Sequence, residues 1–421
     1  MPHPALETEH DDLLAIAGTM ETAVPGLRVR LGGWREHLAH TLGKASSPFA
    51  AETLMEQATV ALRHVWLEAA ASSTSRSYRS PAARERTVTP VGPFHNFGYE
   101  RDLHPDALEA RCANFFPPPP PGWRAEHVLF SSGQAAMNAL LTLLGASAGR
   151  RLTLRHDGCY FETTELLALA RARFEVSARK PADIVIAEPI WYDGAQFGTT
   201  SLPGVAARAN VERASHIIID STLSGLDDGV NDLLSTLDGG TQVFRTLSGL
   251  KLFQAGLELA DVGIVSVYGA ARADELRHIR TLQGTGLRFA DVAALELPLF
   301  LDAAATRAYE HAIFTHNAAL ADAARGNPAF TTVYPTGPRP APFVVFNLPS
   351  AADYDGLDDK IAAEAARREL VLIRGGSFGF RGHRFETVRP TGKPPFLRVA
   401  MGKRAGPSLD DILDLFRSFA P

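Results

Sequence analysis

The chain has 421 residues, 45% of them hydrophobic, enough to bury a large core and to divide into two or three structural units. With 42 basic against 47 acidic residues its net charge is about -5, too mild for nucleic acid or an anionic membrane to be the main partner, which leaves small-molecule chemistry. Two cysteines, Cys112 and Cys159, are too few for a disulfide framework or a cysteine-rich zinc site, and the fourteen histidines never fall in an HExxH-like spacing, so no metal is expected. The opening MPHPALETEHDD is acidic and lacks an export pattern, and no apolar run reaches membrane-spanning length, so the expected location is the cytoplasm.

In chain order, Ser47-Pro48 ahead of FAAETLMEQATVALRHVWLEAA predicts a capped helix with apolar residues three and four apart. From Ala71 to Pro93 the composition turns to Ser, Arg, Pro and Thr, which predicts a linker or an arm reaching a neighbouring subunit. Prolines 117 to 121 read as a stiff spacer, or as a ligand for a proline-binding module. Beyond Val128, short apolar segments (HVLF, DIVIAEP, HIIIDS, ADVGIVSV) alternate with helical patterns, which predicts βαβ units, a largely parallel sheet and ligands at the carboxyl ends of its strands. After about residue 290 the pattern becomes a long helix over LPLFLDAAATRAYEHAIFTHNAALADAAR, a strand PFVVFNL, a helix DDKIAAEAARREL, a strand VLI and a closing helix DDILDLFRSFA. The expected division is an N-terminal helical extension and arm over 1–95, a large α/β domain over 96–290 and a small α+β domain over 291–421.

Three motifs carry chemistry. Ser131, Ser132, Gly133 and Gln134 lie between a strand and an apolar helix, where free backbone N–H groups can close around a phosphate; a plain helix cap uses the same residues. Asp220 ends a buried strand, followed by Ser221 and Thr222; it can hold a ring nitrogen protonated, or simply cap a turn. Lys251 follows Ser248-Gly249-Leu250 in a turn. Only six of the 42 basic residues are lysine, and a Schiff-base amine must be lysine because guanidinium keeps its proton. Together and in this order, the three point to pyridoxal phosphate (PLP) held through Lys251.

With these motifs on the page, Phe97-Gly98-Tyr99-Glu100-Arg101-Asp102-Leu103-His104-Pro105 resembles the Tyr-x-Arg signature of the Cys/Met-metabolism PLP enzymes, which include cystathionine γ-lyase, cystathionine γ-synthase and methionine γ-lyase. The resemblance runs from about residue 95 to the C-terminus and implies the fold-type I architecture, with a mostly parallel sheet in a large domain and a smaller C-terminal α+β domain. It implies that Tyr99 and Arg101 reach the phosphate of a partner subunit, making the chain at least a dimer, and it suggests a tetramer. It implies phosphate contacts at Ser132, Gly133, Gln134, Thr222 and Ser248, and it sets Tyr160 on the ring as a proton carrier. Arg398 grips the substrate carboxylate, and Ser377, in Ser377-Phe378-Gly379, lies beside it.

Several positions depart from the family pattern. Leu250 replaces a threonine, an acid after Gly379 is replaced by Phe380-Arg381-Gly382-His383-Arg384, and Glu188 to Gly194 lacks an asparagine, with Trp191 and Tyr192 as expected substrate contacts in its place. Arg374, Arg381, Arg384, Arg389 and Lys393 form either an anion-selecting cluster or a solvated face. The activity implied is elimination or γ-replacement on a γ-substituted L-amino acid with a thiolate, carboxylate, halide or sulfonium leaving group. An aminotransferase and a non-catalytic scaffold on the same fold are the alternatives.

Overall fold

The computed structural model describes residues 4–72, 86–89, 92–95, 104–147, 149–270, 272–336 and 340–420. Tyr99 and Arg101 lie outside them.

The N-terminal part holds three helices, Pro4–Ala23, Arg28–Leu42 and Pro48–Ser72, of which sequence reading expected the third. The first buries Leu6, Glu9, Leu13, Ile16, Ala17 and Met20, a stripe at three- and four-residue spacing that contains one acid. Ser47 caps the third by accepting from the Ala50 N–H at 3.1 Å. The apolar core of this unit, with Leu13, Leu31, Leu62 and Trp66, is continuous with Leu257, Leu259, Ala293 and Leu297 of the main fold. Trp66 adds a hydrogen bond to the Ala294 carbonyl at 2.8 Å. Within the stretch expected as a linker, β1 (Arg86–Thr89) and β2 (Gly92–His95) pair antiparallel.

The large sheet contains β3 (Ala125–Phe130), β4 (Leu152–Asp157), β5 (Phe174–Val176) and β6 (Ile184–Ala187). A separate small hairpin follows, β7 (Ile190–Tyr192) with β8 (Phe197–Thr199). The large sheet is completed by β9 (His216–Asp220), β10 (Gln242–Ser248) and β11 (Gly263–Tyr268), in the order β3-β11-β10-β9-β6-β4-β5. Every pair from β10 to β5 is parallel, whereas β11 runs antiparallel to both its neighbours. That reversal returns β3 to the common direction, so the carboxyl ends of β3, β4, β6, β9 and β10 share one edge. β6 and β11 are buried along their whole length, as strands covered on both faces should be. Helices Gly133–Ser147 and Ala273–Gln283 cover one face, and Leu202–Glu212 with Val230–Thr236 the other.

The second sheet contains β12 (Thr332–Tyr334), β13 (Val344–Asn347), β14 (Leu372–Arg374), β15 (His383–Val388) and β16 (Phe396–Ala400), in the order β12-β13-β16-β15-β14. Its β15/β16 register sets Glu386 directly opposite Arg398. Helices Leu357–Arg367 and Pro407–Ser418 pack on it. The helix expected from Leu297 begins only at Ala303: Pro298 and a left-handed Leu301 (φ +60°) interrupt it, and Asp302 caps the new start by accepting from Ala305 N–H at 2.9 Å. Among the described residues no helix is long and apolar enough to cross a membrane.

Buried ion pairs bind the N-terminal unit to the second sheet. The Glu9 carboxylate takes Arg381 Nε at 2.8 Å and Nη2 at 2.6 Å, with both side chains only 3% exposed. Asp12 adds a contact to Arg381 and pairs with Lys403, while Glu56 takes Arg404 at 2.7 Å. Glu9→Leu strands a buried guanidinium and should lower stability by about 3 kcal/mol or more in denaturant unfolding, with Arg381→Met on the same chain recovering part of it. Glu310, on the helix Ala303–Ala324, accepts from Leu226 N–H at 2.9 Å, and burial raises its carboxyl from 4.5 to about 7. The folded chain therefore holds a proton that the unfolded chain releases between these values, so this contribution to stability falls as pH rises through that window. Glu310→Gln should flatten the fall, read as unfolding midpoints at about pH 5 and about pH 7.5.

Candidate active site

A cleft of about 400 Å³ opens where the carboxyl ends of the large sheet face the second sheet. Its floor is built from strand ends. β3 runs into Ser132, Gly133 and Gln134, β9 ends on Asp220, β10 ends on Ser248 ahead of Lys251, and β6 leads into Glu188. Ser377, Phe378 and Arg398 close it from the other side. The structure thus gathers Ser132, Gly133, Gln134, Tyr160, Asp220, Thr222, Ser248, Lys251, Ser377 and Arg398 around one space.

At one end, the 15-residue helix Gly133–Ser147 points its N-terminus into the cleft, and Ser132 Oγ caps it by accepting from Ala135 N–H at 3.1 Å. Thr222 Oγ1 accepts from Ser248 N–H at 3.0 Å, which ties the two strand ends together. The floor here is crowded: a Cβ on Gly263, the first residue of β11, would lie 2.0 Å from the Ser132 carbonyl oxygen. The result is a small polar cup lined by backbone N–H groups and hydroxyls, which could hold a phosphate.

In the middle, Asp220 is half-buried and its Oδ1 accepts from Thr222 N–H at 2.9 Å. Burial pushes its carboxyl above the usual range, and among the described residues no cationic side chain pairs with it. A protonated ring nitrogen would supply the missing partner. Glu188 is buried beside it, accepting from Tyr160 N–H at 2.8 Å and Thr163 Oγ1 at 3.2 Å; burial, with Asp220 nearby, raises it well above the usual range. Sequence reading assigned Glu188 no role, although an acid directly after the apolar strand IVIA carries the same signal as Asp220. Glu162 and Asp261 also line the cleft without having been singled out.

The Lys251 amine rests on Ser377 Oγ and lies 5.4 Å from the centre of the Phe378 ring. Burial first, then the Arg398 charge, hold it below the usual lysine value. Ser377 adopts φ +73° and Gly379 φ +82°. At Gly379 the chain passes so close to Lys251 that a Cβ would sit 2.0 Å from the Lys251 carbonyl oxygen. Arg398 Nη1 donates to Tyr160 Oη at 2.7 Å and Nε to Glu386 Oε1 at 2.9 Å, with Nη2 on the same oxygen. Burial pushes the Tyr160 hydroxyl up to about 12, keeping it protonated near neutrality.

Two expectations are corrected. Trp191 and Tyr192 do not line the cleft. The β7/β8 hairpin lays Trp191 over Gly158 and Gly198, and turns Tyr192 inward onto Phe396, Phe197 and Tyr334. The basic cluster is no single anion site: Arg374 and Arg389 are solvated and paired with acids at the surface, whereas Arg381 and Arg384 are turned inward onto acids. Arg381 is buried on Glu9, Arg384 pairs with Glu258, Arg374 with Asp358 and Asp359, and Arg389 with Asp355, while Lys393 donates to the Asp193 carbonyl.

No family model and no curated protein sequence matches the chain. Its architecture is that of the fold-type I PLP-dependent enzymes. Among solved structures it is similar to a methionine gamma lyase, CalE6, from Micromonospora echinospora, with TM-score 0.57 and 20% identity over 82% of this chain and 93% of that one. It is also similar to cystathionine gamma-lyase from Lactobacillus plantarum, with TM-score 0.57 and 18% identity over 82% of this chain and 91% of that one. A third similar structure is metB from Corynebacterium glutamicum, with TM-score 0.57 and 16% identity over 84% of this chain and 97% of that one. At these identities the likeness defines the fold.

Gly379→Ala combines an unfavourable φ with a clash on Lys251 and should lower stability by about 2–4 kcal/mol in denaturant unfolding. Gly284→Ala, in the left-handed region at φ +64° with open space around it, should cost only about 1–2 kcal/mol, so the larger loss at Gly379 reflects the contact with Lys251.

Proposed function

We propose that the chain is a PLP-dependent enzyme that carries out β- or γ-elimination, or γ-replacement, on a γ-substituted L-amino acid. The observation that carries this reading is the convergence on one cleft of a half-buried lysine, a half-buried aspartate with no cationic partner among the described residues, and a buried arginine, beside a polar cup at a helix N-terminus. Similarity to solved gamma-lyases supports the same reading.

The residues fit the cofactor at each of its ends. Lys251 would hold its aldehyde and Asp220 its ring nitrogen. The N–H groups at Gly133 and Gln134 would hold its phosphate, with the hydroxyls of Ser132, Thr222 and Ser248. Bound there, PLP supplies a sink for the electron pair left behind when the substrate loses its α-proton.

The chain's own groups do the remaining work. Arg398 orients the substrate through its carboxylate, a charge-assisted contact suited to a planar guanidinium. Lys251, its amine held below the usual value by burial and by Arg398, can take the α-proton from Cα as a neutral base. Tyr160, protonated and hydrogen-bonded to Arg398, stands ready to give a proton to a departing γ-substituent. Phe378 and Leu223 line the cleft and would give the substrate's carbon chain an apolar wall.

Mixing the PLP-loaded protein with a panel of β- and γ-substituted amino acids should release the substituent together with an oxo acid, or exchange it for an added nucleophile, as read by mass spectrometry. Accumulation of pyridoxamine phosphate without release of the substituent would favour an aminotransferase, and no turnover across the panel a scaffold. Lys251→Ala should lower turnover by at least about a thousandfold, as loss of a group acting both covalently and as base requires. Full turnover in that variant would overturn the assignment.

A further inference from the structure

No acid follows Gly379 closely in the sequence, and the structure supplies one from further along the chain. Glu386 lies on β15 directly opposite Arg398 on β16, and the antiparallel register holds the two side chains together on one face. Glu386 Oε1 takes Nε of Arg398 at 2.9 Å as well as Nη2. The same oxygen accepts from the Ser377 N–H at 3.2 Å. Its other oxygen packs against Gly376, where a Cβ would come within 3.0 Å. One carboxylate therefore holds the guanidinium by its Nε edge and holds the turn whose hydroxyl meets the Lys251 amine.

We propose that Glu386 is a positioning residue for recognition of the substrate carboxylate. It locks Arg398 so that the Nη1 end is presented beside the Tyr160 hydroxyl, and it sets the Ser377 turn to the same frame, so that the carboxylate grip and the lysine amine keep a fixed spacing. A free arginine side chain samples many rotamers, and a grip that must hold Cα in line with a base loses its advantage if the guanidinium wanders. Because Glu386 is fixed by strand register, an incoming carboxylate adds to the open end of the guanidinium and does not displace the glutamate. The inference rests on the assignment of Arg398 to the substrate carboxylate made above.

The test uses the PLP-loaded protein and calorimetric binding of two probes: an α-methyl amino acid, which has no α-proton to lose, and the amine that lacks only its carboxylate. The wild-type protein should prefer the first. Glu386→Ala should reduce that preference about tenfold or more, with binding of the amine unchanged within about threefold. Glu386→Gln, whose amide oxygen still accepts from Nε and from Ser377, should keep most of it. In turnover of a substrate, the Ala variant should show its loss mainly in KM. An unchanged preference in Glu386→Ala would overturn the proposal, and a raised one would show that Glu386 competes with substrate. Should the Ala variant fail to fold, Glu386→Asp, one methylene shorter, should show an intermediate loss, and an unchanged preference there would equally overturn it. Equal binding of both probes by the wild-type protein would instead remove the assignment of Arg398, and this inference with it.

Discussion

The pairing of Glu9 with Arg381 joins parts of the chain that lie more than three hundred residues apart, and the geometry of the cleft hangs on it. Arg381 receives the Glu9 carboxylate on one side and donates through Nη1 to the Ala255 carbonyl, in the loop after Lys251, at 3.2 Å. It also stands two residues beyond Gly379, the point where the second sheet's connecting segment touches Lys251. Taking two such charges out of water is costly, and an apolar pair of similar volume could hold the same surfaces together equally well. The ion pair adds a penalty on misdocking, because any arrangement that separates the partners leaves a bare charge in the interior.

The N-terminal helices therefore act on the cleft from behind, without lining it. Arg63, on the third helix, donates to the Glu258 carbonyl at 2.9 Å, and Glu258 itself pairs with Arg384, whose guanidinium lies 3.6 Å from the centre of the Phe380 ring. Ala255 and Glu258 both hold positive φ, a conformation that side-chain-bearing residues keep only when their surroundings enforce it. The surroundings here are the N-terminal unit on one side and the 380–384 segment on the other. Both walls of the cleft are thus braced by one body.

What could be read from the sequence was whatever the chain writes locally. Asp220, Lys251 and the Ser132 to Gln134 loop announce themselves because each follows an apolar strand at a turn, and strand ends are where such sheets bind ligands. The helix from Pro48 was legible through its cap and its periodicity. Glu386 was not: its role comes from being opposite Arg398, and the register of an antiparallel pair twelve residues apart leaves no mark on either strand alone. β15 itself, with His383, Glu386 and Thr387 among its residues, lacks the apolar run that revealed the strands of the large sheet. Arg398 came only through family resemblance. Arg381 read as part of a basic cluster because its partner, Glu9, lies in a segment whose helical stripe is interrupted by that same buried acid. Trp191 and Tyr192 were misplaced for a related reason, since a three-residue strand does not disclose which face of its hairpin turns inward.

The reversed strand β11 sits beside β3 with its first residue against the loop that follows, and Gly263 there leaves no room for even a methyl group below the Ser132 carbonyl. The depth of the cup is thus governed by a position that does not line it. A side chain at 263 would raise the loop like a shim under a hinge, tilting every N–H at the helix start away from its common focus while leaving each residue of the cup chemically intact. A survey of the binding groups alone would find nothing altered.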